Sequence, residues 1–309
     1  MTVLNEVMPD NQKISPSQGR VTLALVISTL FWGGSFVFNK IAFREIPPVN
    51  FMFLRFTLAT IIMTIFSLRR LPRINREIMG KGAIVGFALG IANLSFVLGV
   101  NGTTVSRAGF LNNLFVLIIP LLTFLLWRER VDRWSLAGIF LALAGLWQLA
   151  SGGAEGFNRG DLLSTFCAFF IAVHIILVSR LLRDEDVHLV TLTQFATVAL
   201  LGALIVALLP TASFRIGVVS GVALLYCAIF PTIICFTLQN TFQRYTTPTK
   251  AGLIYTLDPV WSILGGMLIL GESLSGREWL GCSLIFGAVV LPMTIRRYRE
   301  RRFGVNYRI

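Results

Sequence analysis

The sequence contains few charged residues for its length. Of its 309 residues, 27 are Lys or Arg and 15 are Asp or Glu, so 14% are charged, whereas soluble domains carry about 25%. The mean hydropathy is +0.76. So few charges cannot cover the surface of a water-soluble domain, which excludes that class. We therefore expect the chain to lie in a lipid bilayer.

Cysteine and histidine are scarce as well. The four cysteines all fall inside apolar stretches, and no polar connection holds a pair that could form a disulfide. The two histidines, His174 and His188, are too few for a metal cluster, and the sequence lacks metalloprotease, nucleophile-elbow and phosphate-loop motifs. We expect no enzyme, no cofactor, no metal and no ATP-driven step within this chain.

The excess of basic residues requires a separate explanation. The formal net charge is +12, but the Lys and Arg residues fall in short runs between apolar blocks, without a basic and aromatic module that could read bases. We therefore expect no nucleic-acid partner. The first 20 residues carry Glu6 and Asp10 and are too long and too acidic for a cleaved signal, so we expect the mature chain to keep them.

Apolar blocks of about 20 residues, the length needed to cross a bilayer as a helix, recur along the whole chain. Their apolar runs are continuous rather than alternating, which favours helices over the strands of a membrane barrel. The fold class predicted is an all-α membrane protein with ten transmembrane helices. The predicted spans are residues 21–43, 49–68, 78–100, 106–127, 134–150, 161–182, 189–209, 217–242, 249–270 and 278–295.

The distribution of basic residues predicts the orientation of these spans. With ten spans, 20 Lys and Arg residues fall in the connections and span ends on the side of the two termini and 6 on the other side, and Arg55 alone lies well inside a span. The positive-inside rule then places the N-terminal tail 1–20 and the basic tail 296–309 in the cytoplasm. We expect a multi-pass protein of a bacterial inner membrane, and we expect it to be a monomer.

An internal repeat relates the two halves of the chain. Residues 103–110 match residues 246–253 at an offset of 143, and a weaker offset of 139 relates the earlier parts, placing Ser35 over His174.

Each half, 21–150 and 161–295, then holds five predicted spans. Because five is odd, equivalent helices cross the bilayer in opposite directions, which is the inverted-repeat architecture of secondary transporters. The alternative is a duplicated membrane protein without a transport role.

Several motifs resemble those of a known family. They are the Trp-Gly-Gly-Ser-Phe element at 32–36 with Lys40, the Arg-Phe pair at 55–56, and the helix endings at 124–130 and 268–273. Together they resemble the EamA-type drug/metabolite transporter superfamily over all ten spans. The resemblance implies two inverted five-helix repeats and the export of aromatic amino acids or related metabolites.

Polar and aromatic side chains at helical spacing on apolar spans predict the substrate path. Trp32, Ser35 or Phe36, and Asn39 follow the spacing of one helix face, while Asn112 and Tyr255 are equivalent at offset 143. The predicted substrate-binding residues are Trp32, Ser35, Phe36, Asn39, Phe96, Asn112, Phe115, His174, Tyr255, Asp258 and Trp261.

The chemistry of these positions leaves alternatives open. The polar side chains could bind substrate or only join helices through hydrogen bonds. Asp258 could carry a proton, contact an amine or pair with Arg55, or it could only cap a helix break before Pro259. His174 could contact the cavity or fill a packing position.

We expect the chain to export a small amphipathic metabolite, an amino acid, by alternating access through a central cavity lined by aromatic residues. A lipophilic-drug or cation exporter is the runner-up, favoured if Asp258 binds cations. A carrier of phosphorylated metabolites ranks lower, because only Arg55 is placed to hold phosphate. An intramembrane enzyme or a scaffold is the alternative from a different class.

Overall fold

The described part of the chain is entirely helical. A computed structural model describes residues 16–103, 105–150, 158–208, 214–270 and 275–303, and in these ranges it contains no β-strand. The helices are α1 (Gln18–Ala42), α2 (Pro48–Ser67), α3 (Arg76–Gly102), α4 (Val105–Asn112), α5 (Phe115–Trp127), α6 (Arg133–Ala150), α7 (Arg159–Leu181), α8 (Val187–Leu208), α9 (Val218–Cys227), α10 (Cys235–Phe242), α11 (Pro248–Tyr255), α12 (Asp258–Leu270) and α13 (Gly276–Phe303).

Seven helical segments in this part of the chain are long and apolar enough to cross a membrane. The protein is therefore an all-helical membrane protein. The seven segments are Gln18–Ala42, Pro48–Ser67, Arg76–Gly102, Ala108–Trp127, Arg159–Leu181, Val187–Leu208 and Val218–Tyr245.

The other three predicted spans are not among these seven. Residues 134–150 and 278–295 coincide with α6 and α13, and residues 249–270 coincide with the broken pair α11 and α12. Helix α13 continues past the predicted end at 295, as far as Phe303. Of the predicted tails, residues 1–15 and 304–309 lie outside the described residues.

Helix starts follow the capping residues of the sequence. The Asn75 side chain accepts a hydrogen bond from the Ile78 amide at 2.8 Å at the start of α3. At the start of α7, Asn158 and Asp161 form a reciprocal capping box, with bonds of 2.9 and 3.0 Å. These bonds satisfy amide groups that have no partner inside the helix.

Two predicted spans that read as continuous are broken in the structure. The span 106–127 divides into α4 and α5 around Asn113, and the span 249–270 divides into α11 and α12 around Thr256. The two breaks are equivalent at offset 143. In the second half, Pro259 lacks an amide hydrogen and cannot continue the hydrogen bonds of α11. Discontinuous helices of this kind leave backbone groups free to line a cavity.

A third irregularity lies between α9 and α10. Residues Ala228–Ile234 form a π-helical turn that includes Pro231. The Thr232 hydroxyl donates a 2.7 Å hydrogen bond to the carbonyl of Cys227, five residues earlier. Such π-helical turns are rare and are frequent at functional sites.

Helices from the two halves pack against one another throughout the core. Helix α3 packs on α7 and α8, α2 packs on α8, and α6 packs on α13. Helix α1 packs on α9, α10 and α12. At Gly86 of α3, an added Cβ would lie 2.7 Å from the carbonyl oxygen of Gln194, so a residue without a side chain is needed for this close approach.

Candidate functional site

A cavity lies between nine helices drawn from both halves of the chain. Its volume is about 120 Å³, several times the roughly 10–15 Å³ that one water molecule needs. Its lining comes from α1, α2, α3, α4, α5, α7, and the α10 to α12 region. The two broken helices, one from each half, contribute lining residues at equivalent positions.

Nine of the eleven predicted site residues line this cavity. They carry aromatic, hydroxyl, amide or ionisable side chains, and they come from both halves. The nine residues are Trp32, Ser35, Phe36, Phe96, Asn112, Phe115, His174, Tyr255 and Asp258.

The structure places Asn39 and Trp261 away from the lining. The Asn39 side chain is buried, with its Oδ1 atom 3.7 Å from the sulfur of Cys227. Trp261 donates a 2.8 Å hydrogen bond from Nε1 to the hydroxyl of Thr29. Asn39 points in nearly the same direction as Trp32, but it lies seven residues, or about 10 Å, further along the axis of α1.

The cavity also contains residues that the helical spacing missed, and the repeat carried a signal for some of them. The offset of 143 relates Phe96 to Gln239, and the offset of 139 relates Trp32 to Ile171. The offset of 139 also relates Phe36 to Ile175. The missed lining residues are Arg55, Leu89, Ala92, Asn93, Asn113, Cys167, Ile171, Ile175, Phe236 and Gln239.

Aromatic rings form one side of the cavity. The ring of Trp32 lies 5.2 Å from that of Tyr255 in an edge-to-face contact and 5.5 Å from that of Phe236. Trp32 also donates a 2.8 Å hydrogen bond from Nε1 to the carbonyl of Pro231 in the π-helical turn. Tyr255 is only 2% exposed, so Trp32 presents more of its ring to the cavity than Tyr255 does.

A buried amide joins three helices beside Tyr255. Gln243 donates hydrogen bonds from Nε2 to the carbonyl of Ile175 at 2.6 Å and to the hydroxyl of Ser179 at 2.8 Å. Its Oε1 atom accepts bonds from the Tyr255 hydroxyl at 2.9 Å and from Gln239 Nε2 at 2.8 Å. The Gln243 side chain thus makes four hydrogen bonds, and we call these five residues the Gln243 cluster.

An apolar cluster lies at positions that the repeat relates to the Gln243 cluster. Phe36, Val100 and Ala108 are buried together, and the ring of Phe96 lies 5.2 Å from that of Phe36. The offset of 143 relates Val100 to Gln243. Phe96 and Phe36 likewise correspond to members of the Gln243 cluster. We call these four residues the Phe36 cluster. It is apolar, whereas the Gln243 cluster is joined by hydrogen bonds.

His174 belongs to a chain of hydrogen-bonded side chains. Its Nε2 atom lies 3.2 Å from Nε2 of Gln194. Asn240 donates bonds of 2.9 Å to Oε1 of Gln194 and to the hydroxyl of Thr191. Because Gln194 accepts through its oxygen, its amide nitrogen faces His174, and the imidazole Nε2 acts as the acceptor. This arrangement suits a neutral histidine.

Two charged side chains line the cavity without pairing with each other. Arg55 is 4% exposed, donates a 2.6 Å bond from Nε to the hydroxyl of Thr232, and lies 5.4 Å from the Phe56 ring. Within the described residues no carboxylate forms an ion pair with Arg55. The pairing of Arg55 with Asp258 that the sequence left open is therefore not formed.

Unpartnered polar atoms gather at the two helix breaks. Both side-chain polar atoms of Asn112, the Oδ1 atom of Asn113 and the Oδ1 atom of Asp258 are buried and make no hydrogen bond with any described residue. All three residues line the cavity. Buried polar groups without partners cost free energy, so these atoms are available to a bound solute.

The described residues contain no group of three or more His, Cys, Asp or Glu side chains that could hold a metal ion. The polar chemistry of the cavity is therefore that of amides, hydroxyls, one imidazole, one guanidinium and one carboxylate.

Comparison with known proteins agrees with this architecture. The sequence model of the EamA-like transporter family matches residues 20–150 and again residues 158–294. A solved structure superimposes with a TM-score of 0.77 over 92% of this chain and all of that chain, at 23% sequence identity. That likeness concerns the fold.

Curated relatives are transporters by name. An "Uncharacterized transporter" of Archaeoglobus fulgidus is 30% identical over 87% of this chain and 84% of its own length. A "Probable amino-acid metabolite efflux pump" of Escherichia coli is 26% identical over 90% of this chain and 96% of its own length. An "Uncharacterized inner membrane transporter" of the same species is 26% identical over 89% of this chain and 90% of its own length.

Proposed function

The chain belongs to the EamA-like transporter family, and from this premise we propose that it exports amino acids and related small metabolites, aromatic amino acids among them. Family and relatives indicate a membrane transporter of small molecules rather than an enzyme. Relatives named as an amino-acid metabolite efflux pump support the substrate class. The resemblance of the whole chain to YddG, an exporter of aromatic amino acids, supports the aromatic preference.

The proposed architecture is two inverted five-helix repeats, 21–150 and 161–295, in a bacterial inner membrane with both termini in the cytoplasm. The equivalent breaks in the two halves support the repeat. Helix packing supports it too, because α2 packs on its counterpart α8 and α6 on its counterpart α13. A relative named as an inner membrane transporter supports the location.

The proposed mechanism is alternating access to the cavity from the two sides of the membrane. In the predicted topology, the Gln243 cluster closes the cytoplasmic end and the Phe36 cluster closes the outer end. Export requires the two closures to open in turn, with the solute held between them. The polar closure breaks hydrogen bonds when it opens, whereas the apolar closure separates aromatic and aliphatic surfaces.

The observation that carries this proposal is the cavity itself, which has an aromatic wall and unpartnered amide and carboxylate atoms contributed by both halves. An aromatic wall offers stacking to an apolar side chain. The free polar atoms offer hydrogen bonds to the polar end of the same solute. An amphipathic metabolite has both parts.

Efflux from proteoliposomes tests the proposal. Liposomes with purified protein and preloaded with labelled phenylalanine should release it faster than protein-free liposomes, without an imposed ion gradient. The final ratio of internal to external label should be nearly the same with and without an imposed pH gradient. Release no faster than from empty liposomes, for phenylalanine and for a panel of other amino acids, would exclude the proposed function.

Export of lipophilic cations is the second candidate, and the unpartnered carboxylate of Asp258 in an aromatic cavity favours it. The guanidinium of Arg55 on the same lining repels a cation. We therefore rank this function below amino-acid export. A carrier for phosphorylated metabolites ranks lower still, since Arg55 is the one Arg or Lys on the lining of the described cavity.

A further inference from the structure

We infer that Arg55 and Asp258 form a two-point site for a zwitterion, in which Arg55 binds the carboxylate of an amino acid and Asp258 binds its ammonium group. The inference rests on the proposed function, because it specifies the solute for the same cavity. The inference matches each charged side chain with one group of the solute. Neither the family description nor the names of the relatives make that assignment.

The first support is the location of the two charges. Arg55 on α2 and Asp258 at the start of α12 come from different halves and line one cavity. The rest of the lining is uncharged, because the imidazole of His174 accepts a hydrogen bond from Gln194 through Nε2 and this suits its neutral form. The cavity thus holds one basic and one acidic side chain.

The second support is that neither side chain has an ion-pair partner within the described part of the chain. Arg55 has a hydroxyl and an aromatic ring as neighbours, and within the described residues no carboxylate pairs with it. Asp258 has a buried Oδ1 atom without a hydrogen-bond partner. Charges inside a membrane protein are costly unless they are paired, and such unpaired groups mark solute pathways. Two separated, opposite charges suit a solute that carries both signs.

The charge pair also predicts which solutes are rejected. A simple amine would satisfy Asp258 but leave Arg55 without an anion and facing another positive group. A simple carboxylic acid would do the reverse. Only a zwitterion compensates both charges at once, and the Asn112 and Asn113 amides beside the breaks can complete its hydrogen bonds. Arg55 is well suited to this task because a guanidinium binds a carboxylate through two parallel hydrogen bonds.

Three matched ligands test the inference on the unmodified protein. Phenylalanine, phenethylamine and 3-phenylpropionate share a phenyl ring and a two-carbon chain, but they carry both charges, the amine alone and the acid alone. We measure their affinities from the ligand-induced thermal stabilisation of the purified, full-length protein. Phenylalanine should bind roughly 10- to 100-fold more tightly than either analogue, the range expected for one charge-assisted contact. Equal affinities of all three would overturn the inference.

Two variants then assign the contacts. Arg55→Gln should lower the affinity for phenylalanine and for 3-phenylpropionate by about tenfold or more. The affinity for phenethylamine should stay within about threefold of the wild-type value. Asp258→Asn should lower the affinity for phenylalanine and phenethylamine and leave the affinity for 3-phenylpropionate unchanged. Arg55→Lys, which keeps the charge, should restore part of the lost affinity. Matched controls outside the cavity are Arg44→Gln and Asp184→Asn, since both residues are exposed.

The outcomes separate the inference from the proposed function. If the unmodified protein releases phenylalanine from liposomes but each variant weakens all three ligands equally, the two-point site is wrong and amino-acid export stands. If the unmodified protein neither binds nor releases any amino acid, the proposed function fails and the site fails with it. A selective loss in the two expected directions supports both.

Discussion

Replacing Gln243 with leucine should loosen the closure at one end of the cavity. Gln243 makes four hydrogen bonds to neighbouring groups on α7, α10 and α11, and its side chain is fully buried. Leucine fills a similar volume but makes none of these bonds. The substitution also leaves the hydroxyl of Tyr255 and the amide of Gln239 without their partner.

The size of the effect follows from the number of bonds. Hydrogen bonds between helices in membrane proteins contribute about 0.6 kcal/mol each. Four such bonds amount to about 2.4 kcal/mol, which corresponds to a shift of roughly 50-fold between closed and open states. Tyr255→Phe removes one of the four bonds and should shift the same equilibrium by about threefold.

A native cysteine reports on this opening. Cys167 lies on the cavity lining and is fully buried. In a variant with alanine at Cys227, Cys235 and Cys282, a membrane-impermeant maleimide should label Cys167 slowly. With Gln243→Leu, labelling of Cys167 in inside-out vesicles should become up to roughly 50-fold faster. Labelling in right-side-out vesicles should not become faster.

Three results are possible, and two contradict the reasoning. Unchanged labelling in both vesicle orientations, from a protein that still runs as one species on size exclusion, would show that the Gln243 cluster does not close the cavity. Faster labelling only in right-side-out vesicles would show that this cluster faces the outer side and that the predicted topology is inverted. An increase ordered as wild type, Tyr255→Phe and Gln243→Leu would support the closure.

Three further predictions concern topology, substrate contact and pH. An alkaline phosphatase reporter fused after Ile309 should be inactive, because the charge distribution places the C-terminus in the cytoplasm, and high activity would contradict the ten-span topology. Trp32→Ala should lower the export rate of phenylalanine at subsaturating concentration by roughly 2- to 10-fold, because stacking is lost, and leave the export rate of alanine unchanged. Trp32→Phe should retain most of the phenylalanine export rate. Equal losses for both solutes would assign Trp32 to packing. The Ser220 hydroxyl and the Gly217 amide donate hydrogen bonds to the Glu45 carboxylate between α1 and α2, and these bonds lower its pKa below the ordinary 4.5. The stabilisation is therefore present above pH 4.5 and is lost as the pH falls through the lowered pKa, so thermal unfolding of wild type and Glu45→Gln should differ at pH 6 and converge in strong acid; a constant difference would exclude this titration.

Several properties of the protein could be read from sequence because they depend on local composition. Long apolar runs with few charges predict membrane helices, since each backbone amide in a bilayer must find its partner within the helix. The Asn158 cap at the start of α7 is also a local signal. The helical spacing on α1 predicted the positions of Trp32, Ser35 and Phe36 on one face, and these three residues lie on the cavity lining.

The internal repeat contained more information about the residues that line the cavity than the helical spacing did. Lining residues occur as equivalent pairs, such as Phe96 with Gln239 and Phe115 with Asp258. A comparison of offsets predicts that a residue near the centre has a partner near the centre. It cannot predict that the partners differ in chemistry, as Val100 differs from Gln243.

Only the tertiary structure decided which faces meet and which groups remain free. Asn39 and Trp261 have the right residue types, but their side chains contact Cys227 and Thr29 on neighbouring helices. The absence of a pair between Arg55 and Asp258 depends on residues 203 positions apart in sequence. Periodicity fixes the direction of a side chain relative to its own helix axis, whereas the rotation and crossing of two helices depend on the packing of all their neighbours. The charges of this cavity are therefore visible in the sequence, and their separation is a property of the fold.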